Sequence, residues 1–356
     1  MNKLGWILLL GLASSFTQAL EVTQVRAESQ AFDPELGESA KIHFSIDEPA
    51  SVSLNIYDGR DRLVKQVKQE ELAAGEHALS WNGMDLKGRV VPPEAYSYSL
   101  TAVNAEHNVT HDLTDLTGDE IVNVSDVRWD KETGLIHYHL ERPARVSIRI
   151  GLKEGGPLLR TLLDWAPRPG GTQAEVWDGW DASNALRVNA HPKLNLAVTA
   201  YSLNENILLV GGKPQSVAFA ELTEENSRKK VEVRKHNKRM YFHADQPLET
   251  RSDFETFLTL GMDAEKDAEG RWVVSGSVPV RLNVAKKDKE RLLERRFEPV
   301  FYVDGTFAFE TEVGFLPMTW HWDTSSVNEG EHYVTVNVRG YEGNFGTATL
   351  KFWVKR

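Results

Sequence analysis

From residue 20 onward, apolar and polar positions alternate in short runs. Ile42-His43-Phe44-Ser45-Ile46, Val52-Ser53-Leu54-Asn55-Ile56 and Val334-Thr335-Val336-Asn337-Val338 each put every second side chain on one apolar face. A period of two predicts strands with one buried and one solvated face. Many such runs, bounded by Gly, Pro, Asn and Asp, predict a sandwich or barrel. Helical periodicity is scarce. Its best candidate, residues 286–296 (KKDKERLLERR), is mostly charge around Leu292-Leu293. It is expected to be a solvated loop or one exposed helical piece, not a core element.

The pattern repeats. Ile42-His43-Phe44-Ser45-Ile46 aligns with Ile136-His137-Tyr138-His139-Leu140, and Pro49-Ala50-Ser51-Val52-Ser53-Leu54-Asn55-Ile56 aligns with Pro143-Ala144-Arg145-Val146-Ser147-Ile148-Arg149-Ile150. Trp81-Asn82-Gly83-Met84-Asp85 then aligns with Trp177-Asp178-Gly179-Trp180-Asp181. The spacing is close to the roughly 100 residues of one immunoglobulin-like sandwich and far from that of a solenoid unit. In each copy two alternating strands flank a Pro-Ala turn. The Trp supplies a large apolar anchor, the Gly two residues on permits the turn, and Asp85 or Asp181 is placed to accept from nearby backbone amides.

Ahead of the strands, Met1-Asn2-Lys3 is followed by the apolar run 4–12 (LGWILLLGL) and by Thr17-Gln18-Ala19. This order predicts a secretory signal peptide over residues 1–19, cut after Ala19. The run is too short to span a bilayer, and no later stretch reaches the roughly 18 apolar residues a span needs. The chain contains no cysteine. That excludes disulfides, zinc–thiolate sites, thiol-linked haem and Cys nucleophiles, and with an export signal it points to a bacterial periplasm or cell surface. A net charge of −11 argues against nucleic acid as a partner.

Phe32-Asp33-Pro34, Ile56-Tyr57-Asp58, Leu63-Val64, Ala74-Gly75-Glu76-His77, Trp81-Asn82-Gly83-Met84-Asp85, Gly88 and Tyr96 together resemble the FlgD-type immunoglobulin-like domain, over residues 25–104. The second copy, residues 120–203, is a degenerate match: Asn184 stands where Gly88 stands, and no counterpart of Tyr96 is evident. The resemblance implies a binding or spacer module without catalysis. Residues 270–356, with Phe301-Tyr302-Val303-Asp304-Gly305, Trp322-Asp323-Thr324, Glu329-Gly330-Glu331-His332 and Glu342-Gly343-Asn344-Phe345-Gly346, resemble a different bacterial Ig-like domain. The expected architecture is all-β: three immunoglobulin-like sandwiches in series. Residues 204–269 are read as a linker or extra strands. Within them, residues 228–239 (RKKVEVRKHNKR) suit a lysine-guarded edge strand better than a patch for an anionic glycan or headgroup.

Chemical motifs are few. The chain lacks a Gly-x-Ser-x-Gly elbow, a phosphate loop, a His-Glu-x-x-His pair and a dinucleotide fingerprint. His137 and His139 share one strand face without a visible third ligand, so no metal, cofactor or catalytic residue is assigned. Trp165, Trp180, Trp320 and Trp322 are the candidates for stacking against a sugar ring, although large aromatics more often fill cores. The favoured reading is a non-enzymatic exported scaffold whose partners are other envelope or secreted proteins. A glycan-binding accessory using exposed Trp faces is the alternative, and exposure of those four rings separates the two.

Overall fold

A computed structural model describes residues 19–211 and 253–356 apart from Glu342. The strands, in chain order, are β1 (Val22–Ala27), β2 (Ala31–Phe32), β3 (Ala40–Ile46), β4 (Ala50–Tyr57), β5 (Leu63–Leu72), β6 (Gly75–Trp81), β7 (Ala95–Val103) and β8 (Asn108–His111). A second group follows: β9 (Val124–Asp130), β10 (Leu135–Leu140), β11 (Ala144–Leu152), β12 (Leu158–Arg168), β13 (Gly171–Val176) and β14 (Leu194–Ser202), then the short β15 (Ile207–Val210). The third group is β16 (Thr256–Leu260), β17 (Trp272–Val274), β18 (Ser277–Val284), helix α1 (Lys286–Leu293), β19 (Phe297–Val303), β20 (Thr306–Glu310), β21 (Met318–Asp323), β22 (Gly330–Gly340) and β23 (Phe345–Val354).

Each group folds as two sheets face to face around its own apolar core, as alternating strands require. In the first module, β1-β3-β6 faces the sheet β2-β15-β7-β4-β5, with β8 added on β7. In the second, β13-β10-β9 faces β12-β11-β14, and in the third, β16-β18-β21 faces β17-β23-β22-β19-β20. The all-β expectation holds.

The Trp anchors work alike in both copies. Trp81 is wedged between Phe32 and Tyr96 at ring separations of 5.5 and 5.4 Å, and its indole Nε1 donates to the Met84 carbonyl at 2.9 Å. Trp177 makes the same Nε1 bond to the Trp180 carbonyl at 2.9 Å, and Trp129 at 4.8 Å does the work of Tyr96 from a different strand. That substitution is why no tyrosine counterpart is visible in the second copy.

The Asp turn after each Trp follows one rule. In Asp85–Arg89, Oδ1 accepts from the Lys87 and Arg89 amides at 2.8 and 2.9 Å, while Oδ2 takes Arg89 Nε at 2.9 Å. Burial pushes the Asp85 carboxyl up, but these amides and the guanidinium outweigh it and hold the group below its ordinary value. The same box forms at Asp58–Arg62 and at Asp267–Arg271. At Asp181, Oδ1 accepts from Ala185 and Leu186. In all four boxes the third residue after the Asp is left-handed: Asp61 (φ 58°), Gly88 (77°), Asn184 (53°) and Gly270 (77°). Gly, Asn and Asp are the residues that visit this region most readily, so Asn184 is a conformational equivalent of Gly88.

Two segments differ from expectation. Helix α1 is not merely a solvated piece: Leu292 is 1% exposed in the third core, and buried Asp288 accepts from the Glu255 amide. The charged residues around Leu292 hide a single core anchor in the sequence. The third core also reaches back to Phe254 and Leu258, ahead of residue 270. Of residues 204–269, β15 is a strand of the first module, and residues 253–260 belong with the third. The basic run 228–239 lies outside the described residues.

Candidate interaction surface

The candidate stacking rings are dispersed, one to a separate environment. Trp165 sits at a bulge in β12 with φ 51°, which turns its ring out of the sandwich and onto Tyr201 at 5.3 Å. It is 8% exposed, and Trp322, packed against Phe352 at 5.4 Å, is 2% exposed. Neither ring has a free face, so the stacking expectation is corrected for both: one is covered against Tyr201 and the other lies in a core. Trp320 is half-buried, lying parallel to Phe309 at 6.1 Å and tilted against Phe301 at 5.0 Å. Trp180 is half-buried beside the Arg187 guanidinium at 5.9 Å. The four do not converge on one platform.

His137 and His139 face outward from β10, as the alternation requires. Their cross-strand neighbours are Arg128 and Ala174 for the first, Ser125 and Thr172 for the second. No group of three or more His, Asp or Glu suited to a metal ion occurs among the described residues.

The polar chemistry concentrates where modules meet. The chain crosses between the first and second modules twice, through residues 112–123 and 203–206. Asn206 Nδ2 ties the second crossing to the Tyr98 carbonyl at 2.7 Å and to Asp112 and Thr114 at 3.0 Å each. Asn204 Nδ2 donates to the carbonyls of Thr114 and Thr117. Between the modules, Arg145 Nη1 meets Glu94 Oε1 at 2.8 Å with both side chains nearly buried, and the same nitrogen reaches the Trp165 carbonyl.

Beyond Asn206, β15 lies antiparallel to β7 and parallel to β2, filling the slot between them. Leu208 and Val210 join the first core, while Ile207 and Leu209 form a small cluster with Ala95 on the opposite face. A strand buried on both faces reads as a continuous apolar run, here Ile-Leu-Leu-Val, with no alternation to betray it.

The second and third modules join across β12 and β23. Asn337 closes a two-bond ring with Leu158: its Nδ2 donates to the carbonyl at 2.7 Å and its Oδ1 accepts from the amide at 2.8 Å. Thr347 Oγ1 donates to the same carbonyl, and Ser183 Oγ accepts from the Thr349 amide. Alongside, the Asp253 carboxylate accepts from Thr161 Oγ1 at 2.5 Å and from the Phe345 amide at 2.7 Å, with Arg149 at 3.6 Å. Burial pushes the Asp253 carboxyl above its ordinary value, against the opposing pull of Arg149. Sequence reading singled out none of these joint residues, because Asn337 and Arg145 on strands, and Glu94 and Asp253 just ahead of strands, look like solvated positions until a second module covers them.

No curated protein matches the chain. Solved structures that resemble it include FlgD from P. aeruginosa, at 20% identity over 36% of this chain and 88% of that one, with a TM-score of 0.22. A tetra-tandem repeat from the extending region of a large adhesion protein matches at 13% identity over 94% and 74%, TM-score 0.19. A bacterial ice-binding adhesin matches at 11% identity over 95% and 99%, TM-score 0.20. Residues 29–106, from the turn before β2 to the loop after β7, match the family model of the FlgD Ig-like domain. With its paired sheets, its Phe32–Trp81–Tyr96 stack and its Asp85 turn, the first module is a FlgD Ig-like domain.

Proposed function

We propose that the chain is a non-catalytic exported spacer of a bacterial envelope or cell surface, which holds docking edges at fixed separations. The observation that carries this reading is the joint architecture. The first and second modules share two chain crossings, a buried Arg145–Glu94 pair and the inserted strand β15. The second and third share the Asn337–Leu158 ring and the Asp253 cluster. Flexible tethers between modules need none of these buried polar contacts, which are costly unless the geometry is fixed.

The match of residues 29–106 to the FlgD Ig-like domain favours a place outside the cytoplasm. So does the N-terminal leader read from the sequence. Leu20 packs in the first core just after the expected cleavage point, so the mature chain retains it. The glycan-binding alternative loses its main support, since two of its four rings are buried.

Spin labels on an exposed site of the first module and one of the third test rigidity. The reading expects a single narrow distance distribution, and Asn337→Ala should broaden it without unfolding any module. A broad distribution in the unmodified chain refutes the spacer.

A further inference from the structure

The first two modules repeat each other except for one strand. In the first, the outer edge of β7 is covered along its length. Strand β8 pairs with Leu100–Val103, Asn206 bonds to the amide and the carbonyl of Tyr98, and β15 pairs with Ala95–Ser97. Strands β8 and β15 are thus two halves of one closing strand, with the second module inserted between them. Beneath them the inward residues Tyr96, Tyr98 and Leu100 are buried.

Strand β14 is the counterpart of β7. Leu196, Val198 and Ala200 lie opposite Ile150, Ile148 and Val146 of β11, as Tyr98, Leu100 and Ala102 lie opposite Ile56, Leu54 and Val52 of β4. After β14 the chain returns to the first module to supply β15, so no closing strand follows it. Only the far end of β14 is covered, where Ala200 and Ser202 bond through their backbones to Val122 and Glu120. Before Val122 can be followed along this edge, the chain leaves it for β9 in the other sheet. By the period of two, Val198 and Leu196 turn their backbone groups the same way as Ala200, and no strand lies there among the described residues. Their side chains face the second core yet are only half-buried. Across the opening, Val127 at the bulge of β9 is 38% exposed, whereas Val25 at the matching bulge of β1 packs on the first core. The edge itself suits pairing: β14 keeps its register with β11 over all 9 residues, and residues 194–200 include no charge, Pro or Gly.

Resting on the spacer reading, we propose that β14 receives an extended segment of a partner polypeptide, which completes the second sandwich as β15 completes the first. The occupant is uncharged, with Val, Ile or Leu at alternate positions and Ser, Thr or Asn between them. Its main chain pairs with Leu196 and Val198, and its apolar side chains close the gap toward Val127, as Leu208 and Val210 of β15 enter the first core. Its polar side chains lie beside exposed Asn195, Ala197 and Thr199. Residues 212–252 are the poorer occupant. They begin at Gly211, which shares a groove with Ala166 and Pro167, and end at Asp253, which bonds to Thr161 and Asp164. Both ends therefore lie by β12, the opposite edge of the same sheet.

The test titrates full-length protein into a fluorescein-labelled eight-residue peptide of alternating Val and Thr, followed by anisotropy, with amide exchange read on the free and the bound protein. Saturable binding is expected. The Leu196 and Val198 amides should exchange fast in the free protein and slow on binding, while Leu208 is unchanged. Val127→Lys should weaken binding by about tenfold, because it sets a charge at the mouth of an apolar gap, and should leave the melting temperature unchanged. N-methylating alternate peptide amides should abolish binding. Failure to saturate overturns the proposal, as does equal binding of the N-methylated peptide or undiminished binding by Val127→Lys, since the peptide then sits elsewhere. Slow exchange of Leu196 and Val198 in the free protein also overturns it: another part of this chain then fills the slot, or a second copy does if the protection grows with protein concentration. The spin-label distances separate this from the spacer reading, because a narrow distribution without peptide binding removes the strand slot alone.

Discussion

Replacing Leu208 with Ala tests whether the first module is closed by a strand that follows the second. Leu208 is 0% exposed and packs in the first core, although module two lies between it and β7 in sequence. The change removes three buried carbons, worth about 0.8 kcal/mol each, or about 2.4 kcal/mol in transfer terms. The slot between β2 and β7 is held by backbone pairing and cannot collapse freely, so a cavity contribution brings the loss to about 3–4 kcal/mol. Urea denaturation followed by tryptophan fluorescence measures the total, and amide exchange locates it. Protection should fall in β2, β4 and β7, while β10 and β11 keep theirs. A fragment ending after β8 should be unstable for the same reason, with the Tyr96–Tyr98 edge opened to pairing. A loss below about 1 kcal/mol, or one confined to module two, would refute the argument, since that is the range of an ordinary surface change.

Glu94→Ala should destabilise the chain by about 3–5 kcal/mol, because it strands the buried Arg145 guanidinium, whereas replacing both residues with Met should be close to neutral; thermal denaturation of the four-member cycle checks the coupling. Asn184→Gly should leave the melting temperature nearly unchanged, whereas Asn184→Val should cost about 1–3 kcal/mol at a left-handed position. Asp253 has a folded-state value above its unfolded one, so the folded chain takes up a proton here first as pH falls. Its contribution to stability therefore rises on acidification toward the ordinary Asp range near about 4. The melting temperature of the unmodified chain relative to Asp253→Asn should accordingly increase between neutral pH and that range, and a decrease contradicts the assignment.

Much of this protein is legible as local chemistry. Period-two runs declare the strands because a half-buried strand must alternate; β3 follows that rule residue by residue, whereas β4 and β22 alternate in sequence but are buried on both faces along part of their length. The Trp and Asp turns declare themselves because their hydrogen bonds close within five residues. Even the departure at Asn184 is readable, since the αL conformation admits Asn where it admits Gly. The candidate site was less legible. Trp165 and Trp322 look identical to a surface platform in sequence, and only packing decides that one is covered against Tyr201 and the other lies in a core.

The amino-acid order alone thus determined the two-sheet modules, their repetition and the turns that bound them, because those rest on contacts between near neighbours. Tertiary structure decided what is joined to what. Strand β15 carries no periodicity, being buried on both faces, and its partners β2 and β7 lie more than one module away in the chain. Asn337, Asp253, Glu94 and Arg145 become structural only when another module removes their water. Pairing between distant strands is chosen by the shape of a slot and by what is left uncovered, and neither is written in any local pattern of residues.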